Sequence, residues 1–307
     1  MIKLVATRIG LGLVTLFIAV SGAFFLVHSS GSPAVQILGE SASPERVAAL
    51  NHQLGLDRPL VVQYLGFLGQ LVRGDLGESL RYAQPNATLI MERLPATVEL
   101  AAAALLIALV VGVPLGALAA TREGRLADRL VSAVSLVGVS MPIFWIGLMA
   151  ILFFAVRLHW LPAGQRDGLA SLVLPAVTLS ALPLAQIARL TRSSMSETLR
   201  QQFITASRAR GLSAARVVIN HALRNSAIPV LTIFGLQTGL LLSGAVTVEF
   251  VFSWPGLGTL ATNAVQGRDF TLVQAVVVVG VAVFVITNLV VDVLYGIIDP
   301  RIRDGRV

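Results

Sequence analysis

Six stretches of this chain, residues 9–27, 100–120, 130–156, 169–188, 226–248 and 272–291, run for 19 residues or more without a single Asp, Glu, Lys or Arg. About 20 apolar helical residues are needed to cross the ~30 Å hydrocarbon core of a bilayer. In lipid each backbone amide and carbonyl must find its partner inside the protein, so uncharged runs of this length are expected to be helices. The reading is an all-α integral membrane protein, a bundle of six spans. Composition agrees: only 13% of residues are charged and the mean hydropathy is +0.82, against about 25% charged residues in a soluble domain. The first run follows Lys3 and Arg8 as a signal peptide would. It is longer than the usual apolar core of about 7–15 residues and no A-x-A site follows, so it is expected to remain as a span.

Two absences narrow the chemistry. With no cysteine, the chain has no disulfide, thiolate metal site or thiol nucleophile. Its one lysine is Lys3, with no room before it for the glycine-rich loop of a G-x-x-x-x-G-K-[ST] nucleotide site. If ATP drives this protein, another chain hydrolyses it.

The net charge of +7 reads as a topology signal. Counting alternate loops, 15 of the 23 basic residues fall on the side that holds both termini, and an excess of Arg and Lys marks the cytoplasmic side. Nucleic acid is not an expected partner, because the basic residues are divided among four segments without aromatic residues between them for bases to stack on.

The outer loop, residues 29–94, carries helix signals. Ser43-Pro44-Glu45 gives a cap, a proline at the first helical position and an acid in the first turn. A second run with Val61, Tyr64, Leu65, Leu68 and Val72 at helical spacing stops at Gly74. Within the spans, Pro114, Pro142, Pro175 and Pro183 each delete a backbone donor and are expected to interrupt or bend their helices, while Pro229 opens the fifth span.

Between the fourth and fifth runs lies FITASRARGLSAARVVINHALRNSAIP, residues 203–229, too basic to cross a bilayer. It reads as a helix up to Arg210, a break at Gly211, and a second helix over residues 214–225 capped by Ser213. Arg208, Arg210, Arg216 and Arg224 keep it in water, while Phe203, Leu212, Val217 and Val218 are available to dock on a partner. The residues alone leave open an ordinary basic loop resting on anionic lipid.

The same stretch, T-A-S-R-A-R-G-L-S followed by H-A-L-R-N and I-P-V, resembles the cytoplasmic "EAA" loop of permease subunits in binding-protein-dependent ABC importers, of the dipeptide/oligopeptide/nickel branch. The likeness extends to G-D-L-G-E-S-L at 74–80, R-L-P-A-T-V-E-L at 93–100, G-V-P-L-G-A at 112–117, P-I-F-W-I-G at 142–147, S-W-P-G-L-G at 253–258 and D-P-R-I-R at 299–303. It is most similar to the first permease of the pair that such systems carry. The chain departs from the family pattern at Gly31-Ser32-Pro33, which lacks the usual acid, at Ser207, where alanine is common, and at Thr205, where a basic residue is common.

The resemblance implies a first span at 1–28, an outer loop with short helices at 29–94 and a permease core at 95–307, with a coupling loop at about 192–227. It implies a sister permease, two ATPase subunits that hold ATP and Mg, and an extracytoplasmic solute-binding protein, all at a bacterial or archaeal cytoplasmic membrane. No cofactor is implied for this chain, and it is not itself an enzyme. Ala206, Ser207, Arg208, Ala209, Arg210, Gly211, Leu212 and Ser213 would form the element seated on an ATPase.

Among other candidates, Trp254, Pro255, Gly256 and Gly258 form a tight turn in the outer loop before the sixth run, with Trp254 suited to the membrane interface. The turn is a candidate outer gate or binding-protein contact. Glu249 at the outer end of the fifth run is a candidate for touching a solute, within reach of water or Arg, and Asp292 is expected to pair with arginines. The Asn86-Ala87-Thr88 sequon is read as a chance match. The four histidines show no i,i+4 pair, so no metal site is expected. The solute is read as a di- or oligopeptide, with nickel chelates, glutathione or another peptide-like solute as alternatives. Two rivals from other classes are an ion-gradient-driven transporter, which would want an ionisable residue at mid-span, and a membrane scaffold docking a cytoplasmic protein.

Overall fold

The computed structural model describes residues 2–29, 42–53, 55 and 57–298, and among them every regular element is helical. In chain order these are α1 (Ile2–Ser29), α2 (Pro44–Gln53), α3 (Leu60–Val72), α4 (Asn86–Thr121), α5 (Leu126–Ser140) and α6 (Ile143–Ala150), which runs on as π-helical turns over Ile151–Arg157. Next come α7 (Leu169–Leu199), α8 (Gln202–Ala209) and α9 (Ala214–Arg216), which continues as π-helical turns over Val217–Leu223. The last are α10 (Ala227–Val251), α11 (Leu257–Gln266) and α12 (Phe270–Ile298).

Four helices, α1, α4, α7 and α12, are long and apolar enough to cross a membrane unaided. Two further crossings require bent pairs: α5 with α6 and its extension, bent by 109°, and residues 214–223 with 227–241, bent by 56°. The uncharged run at 130–156 is therefore two helices rather than one rod. The break falls at Met141-Pro142, where Pro142 is extended (φ −60°, ψ 134°) and caps α6. α4 continues through Pro114, and α7 through Pro175 and Pro183, so these three prolines interrupt neither helix. Pro229 occupies the third position of α10, where its missing N–H costs no helical bond.

The chain divides into two compact units. The larger comprises Met1–Val5, Ala96–Pro255 and Thr287–Val307. Its centre is α7, which packs against α5, α6 and α10. More than half of its apolar window (56%) is buried, against 11% for α1, so α7 is the helix least available to lipid. Leu179, Ile187 and Met195, eight residues apart along the helix, each belong to a separate apolar cluster: with Leu100 and Ala245, with Ala108 and Val230, and with Ala120 and Ala222.

Backbones approach closely on that face. A Cβ on Gly116 of α4 would lie 2.4 Å from the Ala188 carbonyl oxygen, and one on Gly112 would lie 3.1 Å from that of Leu184. The G-V-P-L-G motif is thus a small-x-x-x-small seat for α7, the device by which helices pack in lipid without a hydrophobic driving force.

The smaller unit comprises Ala6–Pro95 and Gly256–Ile286. In it α3 lies along α1: the Ser21 and Tyr64 hydroxyls are 2.6 Å apart, and Phe24 stacks on Phe67 with ring centres 5.5 Å apart. A second apolar cluster joins Leu89 and Ile90 to Leu257, Leu260 and Leu272. Beside it the buried carboxylate of Asp269 accepts from the Ser79 hydroxyl, the Arg81 and Leu272 amides and the Thr271 hydroxyl. That pins the G-D-L-G-E-S-L segment to the start of α12. Asn86 of the sequon is fully buried, with its side-chain amide donating to the Leu76 carbonyl at 2.9 Å, so it is no surface acceptor.

Candidate functional site

The Arg-rich stretch folds as a helical pair about a glycine turn. After α7 ends at Leu199, α8 covers Gln202–Ala209, and Gly211 sits at φ +79°. Among the described residues, nothing beyond its two chain neighbours lies within 4 Å of where a Cβ on Gly211 would be. The demand for glycine is therefore conformational: an L-residue there adopts the left-handed region at a cost of about 1–2 kcal/mol. Ser213 caps the second helix by accepting from the Arg216 amide at 3.4 Å. Helical structure persists to Asn225, but as π turns over Val217–Leu223 rather than the regular α-helix expected.

What holds the pair is its inner face. Ile204, Val217 and Ala222 are buried, and Val218 packs on the cluster of Ala120 and Met195. Below them the Thr198 and Ser226 hydroxyls meet at 3.3 Å, and Ser226 also donates to the Ala222 carbonyl at 2.9 Å. Val217 and Val218, expected to be free for a partner, are instead spent on anchoring. Left outside are Ala206, Arg208, Ala209, Arg210, Gly211 and Ser213, with Ser207 and Leu212 half-buried. The Ser207 hydroxyl turns back to the Phe203 carbonyl at 2.7 Å, so a serine fits this position without touching a partner.

Beside the pair lies an ionic cluster that the sequence reading did not pick out. Asp128, in the first turn of α5, is buried and takes both Nε and Nη2 of Arg192, the second at 2.9 Å, together with the Gly124 amide at 2.9 Å. In the α4–α5 loop, Glu123 accepts from Ser196 at 2.8 Å and Arg200 at 2.7 Å. Those bonds, the Ser196 hydroxyl first and the Arg200 guanidinium second, hold its carboxyl below the usual carboxylate range. An acid in a first turn facing a basic helix end was the available signal, but nothing in the sequence said that α5 meets α7.

The S-W-P-G-L-G segment is a core feature rather than an interfacial one. Trp254 is fully buried and donates its indole N–H to the Ala96 carbonyl at 2.9 Å, while Ser253 before it is left-handed at φ +50°. Glu249, expected within reach of water or Arg, is also fully buried and accepts the Thr97 hydroxyl at 2.6 Å. The structure therefore brings together R-L-P-A-T-V-E-L and the end of α10. Pro255 closes the larger unit, and in the smaller unit Gly256 caps α11 and Gly258 is buried in its first turn. Asp292 and the D-P-R-I-R segment lie outside the described residues and side chains. Among the described residues no group of three or more His, Asp or Glu is placed to hold a metal ion.

Comparison with known proteins accords with this architecture. The fold is similar to that of a chain in an inward-facing structure of the MetNI methionine ABC transporter, with a TM-score of 0.59 at 20% identity over 69% of this chain and 97% of that one. By sequence, the chain is 42% identical to the di/tripeptide transport system permease protein DppB of Pseudomonas aeruginosa over the whole of both chains. It is 39% identical to the dipeptide permease DppB of Escherichia coli K12 over 99% of each. It is 40% identical to the glutathione permease GsiC of Escherichia coli O6:H1 over 95% of this chain and 96% of that one. These relationships give no support to an ion-gradient-driven transporter. Residues 112–304 match the family described as binding-protein-dependent transport system inner membrane component, and residues 1–101 match its N-terminal companion family. With the long apolar helices, the bent pairs and the projecting glycine-turned loop already in place, the chain belongs to the binding-protein-dependent transport system inner membrane components, as a multi-pass helical membrane subunit.

Proposed function

We propose that this chain is the permease subunit of an ABC importer that moves di- or oligopeptides delivered by a solute-binding protein, and that residues 206–213 are the element through which an ATPase drives it. The observation that carries the reading is the helical pair: anchored through Ile204, Val217 and Ala222, with an open left-handed glycine at its tip. A rigid projection with an unoccupied outer surface passes force from a cytoplasmic partner to the end of α7. Two ATPases with ATP and Mg, and a sister permease, complete the machine. This chain performs no hydrolysis. Residues 95–307 serve as the permease core and 29–94 as the outer loop. With each bent pair as one crossing there are six spans and both termini are cytoplasmic.

The peptide assignment is supported by relatives named for dipeptides and tripeptides along the whole chain. A relative named for glutathione at similar identity favours another small peptide-like solute as the second reading. Uptake of a radiolabelled dipeptide into proteoliposomes, requiring ATP, the cognate ATPases and the binding protein, tests the whole reading. Gly211→Leu is expected to reach the membrane at wild-type level and lose most uptake. Wild-type uptake by that variant at matched expression overturns the coupling role.

A further inference from the structure

Two arginines on α7 line the same cleft and differ in one respect: Arg192 is paired with the Asp128 carboxylate, and Arg189 has no carboxylate partner among the described residues. The cleft, of about 740 Å³, is bordered by Ser132 and Leu136 of α5 and by Gln186, Arg189, Arg192 and Ser193 of α7. Gln186, Arg189 and Ser193 recur at i, i+3 and i+7, so they form one polar stripe along an otherwise apolar span. The charge of Arg192 is spent on Asp128 through two bonds. Arg189 is exposed, and no acidic residue among the described ones pairs with it. Arg189 is the first residue after the uncharged run 169–188, toward the end of α7 that carries Arg192, and an exposed cation that borders a cavity attracts a ligand of opposite sign.

Three residues before Arg189, Gln186 accepts the buried Gln237 amide of α10 through its carbonyl oxygen. That bond fixes the side chain and leaves its NH2 group for another acceptor. A fixed amide donor and a free guanidinium thus stand about one turn apart on one wall. A guanidinium fork matches a carboxylate in two parallel bonds, and an NH2 donor matches a peptide carbonyl.

We propose that this cleft is a solute subsite on the translocation path, in which Arg189 receives the C-terminal carboxylate of a peptide and Gln186 the adjacent peptide carbonyl. The proposal rests on the peptide-importer reading above and adds where in the permease the solute is held, and by which end. The Asp128 pair prevents Arg192 from competing for the same carboxylate.

The test uses the assembled transporter in nanodiscs, without the binding protein, so that selection by that partner is removed. The probe is a dipeptide with a benzophenone side chain, as the free acid and as the C-terminal amide, and cross-linked fragments are located by mass spectrometry. The free acid is expected to label segments of α5 and α7 that border the cleft. The amide is expected to label them about tenfold less, because a site built to bind one polar group rejects the analogue lacking it. Arg189→Gln should reduce labelling by the acid to the level of the amide, and Arg189→Lys should restore part of it. Equal labelling by acid and amide, wild-type labelling of Arg189→Gln, or labelling confined elsewhere overturns the subsite. So does loss of assembly in Arg189→Gln without acid–amide discrimination in the wild type, which assigns the arginine to a carboxylate of the sister permease. Proteoliposome uptake of the same dipeptide with the binding protein present separates the two levels: uptake without cleft labelling sinks the subsite alone, and no uptake sinks the peptide reading.

Discussion

Gly116 and Gly211, both in the larger unit, require glycine for opposite reasons. At the α4–α7 contact Gly116 has ordinary helical backbone, and what forbids a side chain is the Ala188 carbonyl 2.4 Å from where Cβ would stand. At the tip of the helical pair Gly211 has open space on every side, and what forbids a side chain is its own φ of +79°. The first glycine is dictated by a neighbour and the second by a dihedral angle. Damage at the first spreads into the fold, while damage at the second stays in a turn whose outer face is unoccupied.

Substitutions sharpen that contrast. The largest stability effect is expected at Gly116→Leu, where overpacking a helix contact costs at least about 3 kcal/mol. Little monodisperse protein should then survive detergent extraction, and even Gly116→Ala should lower the yield. If Gly116→Leu extracts and chromatographs like wild type, the close contact is not what holds α4 to α7.

Next in size is Asp128→Asn, which leaves half-exposed Arg192 without its carboxylate. Losing charged hydrogen bonds of this kind costs about 2 kcal/mol, and the thermal midpoint of the purified permease should fall. An unchanged midpoint would detach the ion pair from the α5–α7 packing.

At Gly211 the effect on stability is no larger, about 1–2 kcal/mol for a residue forced to positive φ. Here the chemical nature of the replacement matters more than its size. Asn visits the left-handed region more readily than Leu, so Gly211→Asn should retain more uptake than Gly211→Leu at equal membrane level. Equal loss in both would move the requirement from the dihedral angle to the surface of the partner.

The smallest effect is expected at Glu123→Gln. The lowered pKa of Glu123 means that its contribution is full above the ordinary carboxylate range and is lost as pH falls through the lower, folded-state value. The wild type should therefore be slightly more heat-stable than the variant near neutral pH, and the two should converge in acid. The pair is exposed, and exposed pairs are screened by water and salt. A pH-independent difference would assign the contribution to packing rather than to charge.

The sequence carried the projecting pair well. Gly211, the Ser213 cap and the run to Asn225 follow from local rules, since a turn and a cap depend on a few neighbouring residues. Which side chains of the pair turn inward was not readable: Val217 and Val218 look like docking residues, yet Val217 is buried and Val218 packs on the cluster of Met195 and Ala120. Nor could the sequence say which proline breaks its helix. Pro114, Pro175 and Pro183 carry the same local penalty as Pro142, yet only at Pro142 does the helix break. Trp254 and Glu249 looked peripheral by their position near the end of a span and prove to be core residues bonded to Ala96 and Thr97.

By itself the sequence determined that this is a helical membrane protein with one glycine-turned helical pair between two of its apolar runs. Charge-free length and the requirements of a turn are properties of a chain read in order. The tertiary structure alone decided which motifs meet: Ser79 with Asp269, Thr97 with Glu249, Asp128 with Arg192. Each of these is a pairing between residues more than 60 positions apart. No local propensity encodes such a pairing, because it depends on which faces of which helices come together. The same packing gave Arg192 the Asp128 carboxylate, while no acidic residue among the described ones pairs with Arg189.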